Sequence, residues 1–512
     1  MARGVVRAQF LRSLHVERLE ERAVPAASIT ASLSAGGVLT VNGSAKNDSI
    51  VLRQASSKLS IDGVSTKFAA TAVQSIVVKT GAGNDKVSLS GLNPWTKQIT
   101  VNSSAGNDSI KLLNGKSAAL NGANKSLVIN ASVVPPPTPP PSPPPANNDW
   151  FESNITDVAL RQLLRQGFSD GAVSRNEVLG VFNQAKQDGN VSSTELNDLK
   201  AMANNTSLFG SVTYVADITK SVVLGNAANA KFQGTTLGNL AANDTGAKLD
   251  KLVGKWFLGA DRPDAAYSGV TVTYATASGS LFGAGGPKYT DVVQGAVGDC
   301  YYVGTLAEIA QQSPSTITSM FIVNGDGTYG VRFYNNGQAR YVTVDSKLPT
   351  YGGGYLLYAN MGQRANSSSN VLWVALAEKA YVQMNEAGWL RPSNYGGGQN
   401  SYQAIAGGWF SDVTAQVANR IGTNYYVGAS INVSTFEAAY NSGKMIGFGS
   451  ITTPGNSSIV GNHQYLVSGY NSATKMVTLF NPWGDNNGSQ YPGHITLSLT
   501  QLSSSFNYWA TA

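Results

Sequence analysis

Between Pro135 and Pro145, nine of eleven residues are proline. Proline has a fixed φ and no backbone N–H, so such a run can enter neither a helix interior nor a central strand. It adopts polyproline II, extends by about 3.1 Å per residue and holds apart whatever flanks it. The chain must therefore fold as separate bodies on either side, and its 512 residues leave room for about three. Composition shifts divide it into an N-terminal segment 1–25, a β-rich repeat region 26–133, the linker 134–148, a helical region 149–259 and a mixed region 260–512.

The region before the linker repeats itself. Leu39–Leu52 (LTVNGSAKNDSIVL), Ile76–Leu89 (IVVKTGAGNDKVSL) and Ile99–Leu112 (ITVNSSAGNDSIKL) are three copies of one 14-residue pattern. Apolar residues alternate on both sides of a Gly/Asn/Asp cluster, which reads as strand–turn–strand. The shared Asn-Asp serves a turn, because both residues tolerate left-handed backbone and bond their own main chain. The pattern also resembles calcium-binding β-rolls. Those recur every nine residues, whereas Asp48, Asp85 and Asp108 are unequally spaced, so stacked turns and a metal ladder are not expected.

After the linker the apolar spacing turns helical, at Val158, Leu160, Leu163 and Leu164, then Val178, Leu179 and Phe182. Asp170–Glu177 and Asp188–Glu195 resemble the later half of an EF-hand loop. The first and third ligand places hold Gln166 and Phe168 in one and Gln184 and Lys186 in the other, which is no calcium set. Turns followed by capping boxes, Ser174 with Glu177 and Ser192 with Glu195, account for the pattern.

Charged residues are only 13% of the chain and the net charge is +6, without a basic run, so nothing points to nucleic acid. No stretch of eighteen apolar residues offers a membrane-spanning helix. Leu14–Pro25 resembles a box near the start of many exported planctomycete proteins, which implies an extracellular or cell-surface location.

A single cysteine, Cys300, excludes an internal disulfide, and the three histidines are His15, His463 and His494. Cys300 follows a glycine-bearing loop, Gln294–Asp299, and opens an apolar-periodic helix. A helix N-terminus favours the thiolate, so a lowered thiol pKa is expected. Gln294 stands upstream with an N–H able to meet a developing oxyanion. Within Gly461–Tyr470, His463 stands at the start of an alternating strand. Asn481 ends another and leads into Pro482-Trp483-Gly484. An Asn oxygen that accepts an imidazole N–H fixes tautomer and orientation. Taken singly, each has an ordinary structural explanation: a small buried thiol, a strand histidine and an Asn-Pro turn.

Together, in this order, they resemble the calpain family of papain-like cysteine peptidases. Val344–Thr350 and Leu372–Tyr381 add further matches, so the resemblance covers about 260–512. It implies an α+β core of two subdomains, with Cys300 as nucleophile, His463 as base and acid, Asn481 as orienter and Gln294 in the oxyanion hole. Trp483 would shield the His–Asn bond. Tyr301 replaces the Trp that usually follows the nucleophile. The lipid-binding-type and multi-EF-hand domains of animal calpains are absent from the sequence. Protein substrates, a calcium-assisted endopeptidase and an acyl-enzyme are what the resemblance implies. A papain-fold transglutaminase or amidase, or an exported binding protein with an inactive core, are the rival readings. Residues 149–259 could serve as a propeptide-like element. Calcium is the one cofactor implied, at Asp291 and Glu378 with carbonyls of Ala284 and Gly286. In the other half, the residue six after Asn481 is Asn487, so a second site is expected to be weakened or lost.

Overall fold

The computed structural model describes residues 29–34, 37–55, 58–92, 99–112, 117–121, 125–129, 149–211, 213–427, 431–485 and 490–512. The export-type segment 1–25, the linker 134–148 and Asn487 lie outside them. Contacts divide the chain into two compact units, Met1–Pro145 and Ala146–Ala512.

The regular elements described in the first unit are β-strands, apart from one short 3-10 turn, Ala70–Ala72. Its strands are β1 Thr30–Leu33, β2 Val38–Asn42, β3 Ser49–Ala55, β4 Lys58–Ile61, β5 Phe68–Ala69, β6 Ser75–Lys79, β7 Lys86–Gly91, β8 Ile99–Ser103, β9 Asn107–Lys111, β10 Ser117–Asn121 and β11 Lys125–Ile129. They form two sheets, in the orders β1-β2-β6-β8-β11 and β10-β9-β7-β3-β4-β5. Each copy of the repeat places its first strand in one sheet and its second in the other. Equivalent strands of successive copies pair in parallel. Leu39, Ile76 and Ile99 thereby stack in the core between the sheets.

This overturns the expectation that unequal spacing prevents stacking. The Asn-Asp turns do form a ladder. Asp48 N–H donates to Asp85 Oδ1 at 2.7 Å, and Asp85 N–H donates to Asp108 Oδ1 at 3.0 Å. Asn84 N–H and Asn107 N–H donate to the Asn side chains one rung back, Asn47 and Asn84, at 2.8 and 2.9 Å. The longer interval between the first two copies holds β4 and β5, which leave the stack and extend the second sheet. The glycine at the fourth place of the turn is also explained. A Cβ at Gly106 (φ +116°) would lie 1.8 Å from Gly83 O, and one at Gly83 (φ +123°) would lie 2.8 Å from the Lys46 carbonyl. The first copy ends the stack, so Lys46 is tolerated there.

The second unit begins with α1 Trp150–Asn154, α2 Val158–Gly167, α3 Arg175–Gln184, α4 Ser193–Asn204, α5 Thr213–Val223 and α6 Gly246–Trp256, with two-residue pairings of β12 Asn190–Val191 to β15 Asp244–Thr245 and β13 Lys231–Phe232 to β14 Thr235–Thr236. Both expected capping boxes form: Glu177 accepts from Ser174 N at 2.7 Å and Glu195 from Ser192 N at 2.8 Å.

Onward the chain mixes helices and strands: β16 Thr273–Thr276, α7 Cys300–Gln312, α8 Pro314–Met320, β17 Phe321–Val323, β18 Thr328–Asn335, β19 Gln338–Asp345, β20 Lys347–Tyr351, β21 Tyr355–Leu356, α9 Trp373–Asn385 and α10 Phe410–Ala418. Then come β22 Thr423–Tyr426, α11 Val433–Asn441, β23 Ile446–Ser450, β24 Gln464–Asn471, β25 Met476–Phe480, β26 His494–Ser498, α12 Leu499–Leu502 and β27 Phe506–Thr511. The last six strands make one antiparallel sheet, β22-β27-β23-β24-β25-β26, with its own apolar cluster. The other cluster runs without a break from Phe151 to Ala510. Residues 149–259 and 260–512 therefore share one core. Polar contacts join them too: Tyr214 Oη meets Thr343 Oγ1 at 2.8 Å, and the buried Lys255 ammonium is held by Asp261 and, at 2.6 Å, by Glu386.

Candidate active site

The loop before α7 is held by backbone contacts. Gln294 N–H donates to Pro482 O at 2.8 Å, Ala296 N–H to Leu357 O at 3.1 Å and Asn360 N–H to Val293 O at 2.7 Å. Gly295 is needed because a Cβ there would lie 2.1 Å from Tyr358 O. Cys300 is the first residue of α7 and is partly buried. Burial pushes its thiol up to about 11, and the Asp299 carboxyl adds to the rise against the Gln464 backbone N–H. The lowered thiol pKa expected from the helix start is thus reversed. One helix N-terminus does not offset the loss of water.

His463 immediately precedes β24, and Asn481 lies just past the end of β25. The two strands pair antiparallel with Leu466 opposite Phe480, so their ends meet although eighteen residues separate them. His463 Nε2 and Asn481 Oδ1 are 2.9 Å apart, and that oxygen also accepts from Trp483 N at 3.0 Å. The Trp483 ring packs on the imidazole, centroids 5.1 Å apart. His463 N–H donates to Ser450 Oγ at 2.8 Å, which fixes the residue from behind. Burial lowers the imidazole to about 4, and the Asn481 hydrogen bond only partly opposes this. Burial thus disfavours the charged form of both groups.

Helix α7 faces this pair: a Cβ at Gly304 would meet Gln464 Cγ at 3.6 Å and Pro482 Cγ at 3.7 Å. The structure thus brings the Cys300 helix, the His463–Asn481 pair and the Gln294 loop together. Among the described residues it records no hydrogen bond between Cys300 Sγ and the His463 ring. Gln294 Nε2 donates to Val297 O at 2.8 Å, which occupies one of its two N–H groups. His494 is engaged elsewhere, with Asp485 at 2.8 Å and Tyr289 Oη at 3.3 Å.

Two features of the site are invisible in the motif. Tyr301 Oη donates to Ile405 O at 3.0 Å and contacts the buried Arg391 guanidinium, which also reaches Ala406 O at 3.0 Å. Arg391 carried no sequence signal, since it lies ninety residues from Tyr301. The second is the Asp299 side chain, which points away from the helix it precedes.

The two carboxylates expected to hold calcium, Asp291 and Glu378, have separate hydrogen-bond partners. Asp291 Oδ2 accepts from Lys288 N and from Trp373 Nε1, both at 2.8 Å. Glu378 is buried, accepts from Ala359 N at 2.9 Å and faces Asp299. Among the described residues no three His, Cys, Asp or Glu side chains converge on a metal position, and no helix is long and apolar enough to cross a membrane.

A thiol at a helix start, set against a His–Asn pair on a β-sheet, defines a cysteine-peptidase-like site. Residues 273–494 match the family model described as calpain family cysteine protease. The chain is 27% identical to calpain-8 of Mus musculus over 240 residues, 41% of this chain and 30% of that protein. It is 27% identical to the calpain-2 catalytic subunit of Homo sapiens over 226 residues, 39% of this chain and 29% of that protein. The match thus spans less than a third of these curated relatives. The C-terminal region is a calpain-like cysteine protease domain.

Proposed function

We propose that this chain is a cysteine endopeptidase that hydrolyses peptide bonds of proteins through Cys300, His463 and Asn481. The observation that carries the reading is the buried 2.9 Å contact between His463 Nε2 and Asn481 Oδ1, set against the helix that begins with Cys300. Nε2–H donates to Asn481, which leaves Nδ1 free to take a proton. As the imidazole closes on the thiol, Sγ attacks the scissile carbonyl carbon and its proton passes to Nδ1. The oxyanion meets the Cys300 backbone N–H and the second N–H of Gln294. Collapse expels the amine, which takes the proton from His463. Water then attacks the thioester, gives its proton to His463 and releases the acid, and the thiol is restored.

A neutral starting pair suits this sequence, because the proton moves with the attack rather than before it. No step passes through calcium, since Asp291 and Glu378 have separate partners. The extracellular or surface location rests on the Leu14–Pro25 resemblance, and cell fractionation tests it.

Incubating the purified chain with casein and sequencing the fragments tests the activity. Internal cleavage that Cys300→Ala removes supports an endopeptidase. Amine incorporation without fragments favours a transglutaminase. Intact casein together with a thiol inert to an active-site-directed epoxide favours a binding protein with an inactive core.

A further inference from the structure

Asp299 occupies the place before the first turn of α7, where a short acidic side chain ordinarily accepts from free helix N–H groups. It makes no such bond. The side chain is fully buried, and neither carboxyl oxygen takes a well-formed hydrogen bond, although the Gln294 side chain and the Asp299 backbone N–H lie close enough to favour its charge. Glu378 of α9 is equally buried and faces it. Its Oε2 accepts from Ala359 N at 2.9 Å, while Oε1 has no donor. Two ionised carboxylates only accept, so they cannot bond each other, and burying both without a cation is costly. A single proton resolves this: Glu378 Oε1–H donates to Asp299, and Oε2 keeps Ala359.

We propose that Glu378 and Asp299 share one proton across a buried carboxyl–carboxyl hydrogen bond that positions the Gln294–Cys300 loop for the peptidase reaction. The inference rests on the peptidase reading above. Glu378 would bind at one end the 357–360 segment, which laces the loop through Leu357 O and the Asn360 N–H. At the other end it would bind the residue before the nucleophile. Both are positioning residues, since neither touches substrate.

Burial raises both carboxyls above the ordinary carboxyl range, so the pair holds on to a proton. Tyr301 and Tyr302 of α7, with Tyr358 and Tyr402, face the pair, and burial raises all four hydroxyls, so they stay neutral. Among the described residues no ammonium or guanidinium bonds to either carboxyl. The pair therefore presents one negative charge to the thiol. Tyr465 of β24 and Tyr508 of β27 face Cys300 as well, with hydroxyls also raised and neutral.

Three variants of the full chain test this, by peptide hydrolysis, by circular dichroism and by the pH dependence of Cys300 alkylation with iodoacetamide. Glu378→Gln keeps both bonds, its amide N–H donating to Asp299 and its carbonyl accepting from Ala359, and retains most of the activity. Glu378→Met fills the space without donor or acceptor, and kcat falls by about a hundredfold with KM little changed. Asp299→Asn removes the charge beside the thiol, so its alkylation profile moves to lower pH. In Glu378→Gln the profile does not move that way. Equal activity in Glu378→Met and Glu378→Gln overturns the proposal, and so does an unmoved profile in Asp299→Asn. If Glu378→Met fails to fold, the other two variants decide. A wild-type chain that hydrolyses nothing, with the Asp299→Asn profile still displaced, sinks the peptidase reading and leaves the pair standing.

Discussion

Cys300, His463 and Asn481 are separated by 163 and 18 residues, yet their types and local contexts mark them as candidates. Their charge states are not legible, because those follow from burial. Asp299 reads in sequence as a helix cap, and only the fold shows its carboxyl turned into the core toward Glu378. Losses in kcat/KM on a peptide substrate are expected to be graded. Cys300→Ala and His463→Ala each lower it by about 10³-fold or more, with unchanged circular dichroism. Asn481→Ala is milder, about 10²-fold, since it loosens the imidazole without removing it. His494→Ala retains most activity, because that ring is paired with Asp485 and Tyr289. A dead His494→Ala with an active His463→Ala would assign the base to the wrong histidine.

At the scale of elements, α7 is tied to the sheet by Glu308, whose Oε1 accepts from Ile446 N of β23 at 2.9 Å. Burial raises its carboxyl to about 8. A carboxyl whose folded pKa lies above its unfolded value contributes stability that is fully present below about 4.5 and lost as pH rises through about 8. The melting temperature should fall across that window, by an amount on the order of a few kcal/mol in stability, and Glu308→Gln should flatten the slope. A slope unchanged in the variant would remove Glu308 from the account. Elements with local signals were legible: the capping boxes at Ser174 and Ser192, and the strands flanking each Asn-Asp turn. The parallel stacking of those strands was not, because β4 and β5 lengthen one interval and hide the period. The glycine at 83 and 106, with Lys46 in the first copy, was the trace of stacking left in the sequence.

For the whole molecule, the proline run marked the break between units, and contacts divide the chain at Pro145. The join between 149–259 and 260–512 was not legible, since Lys255 meets Glu386 across 131 residues. A chain beginning near Asn147 should keep full peptidase activity. One beginning at 260 should lose its cooperative melting transition and its activity, because it exposes the face of the core covered by α5 and α6. Soluble, fully active 260–512 would contradict the shared core. The proposed function requires Cys300 to be a working nucleophile in a protein-cleaving centre. Mass spectrometry of the full chain treated with an active-site-directed thiol epoxide, with casein digested in parallel, tests it in one experiment. The account predicts one adduct on Cys300 and loss of the casein fragments in step with labelling. Casein cleaved at an unchanged rate by fully labelled protein would contradict it.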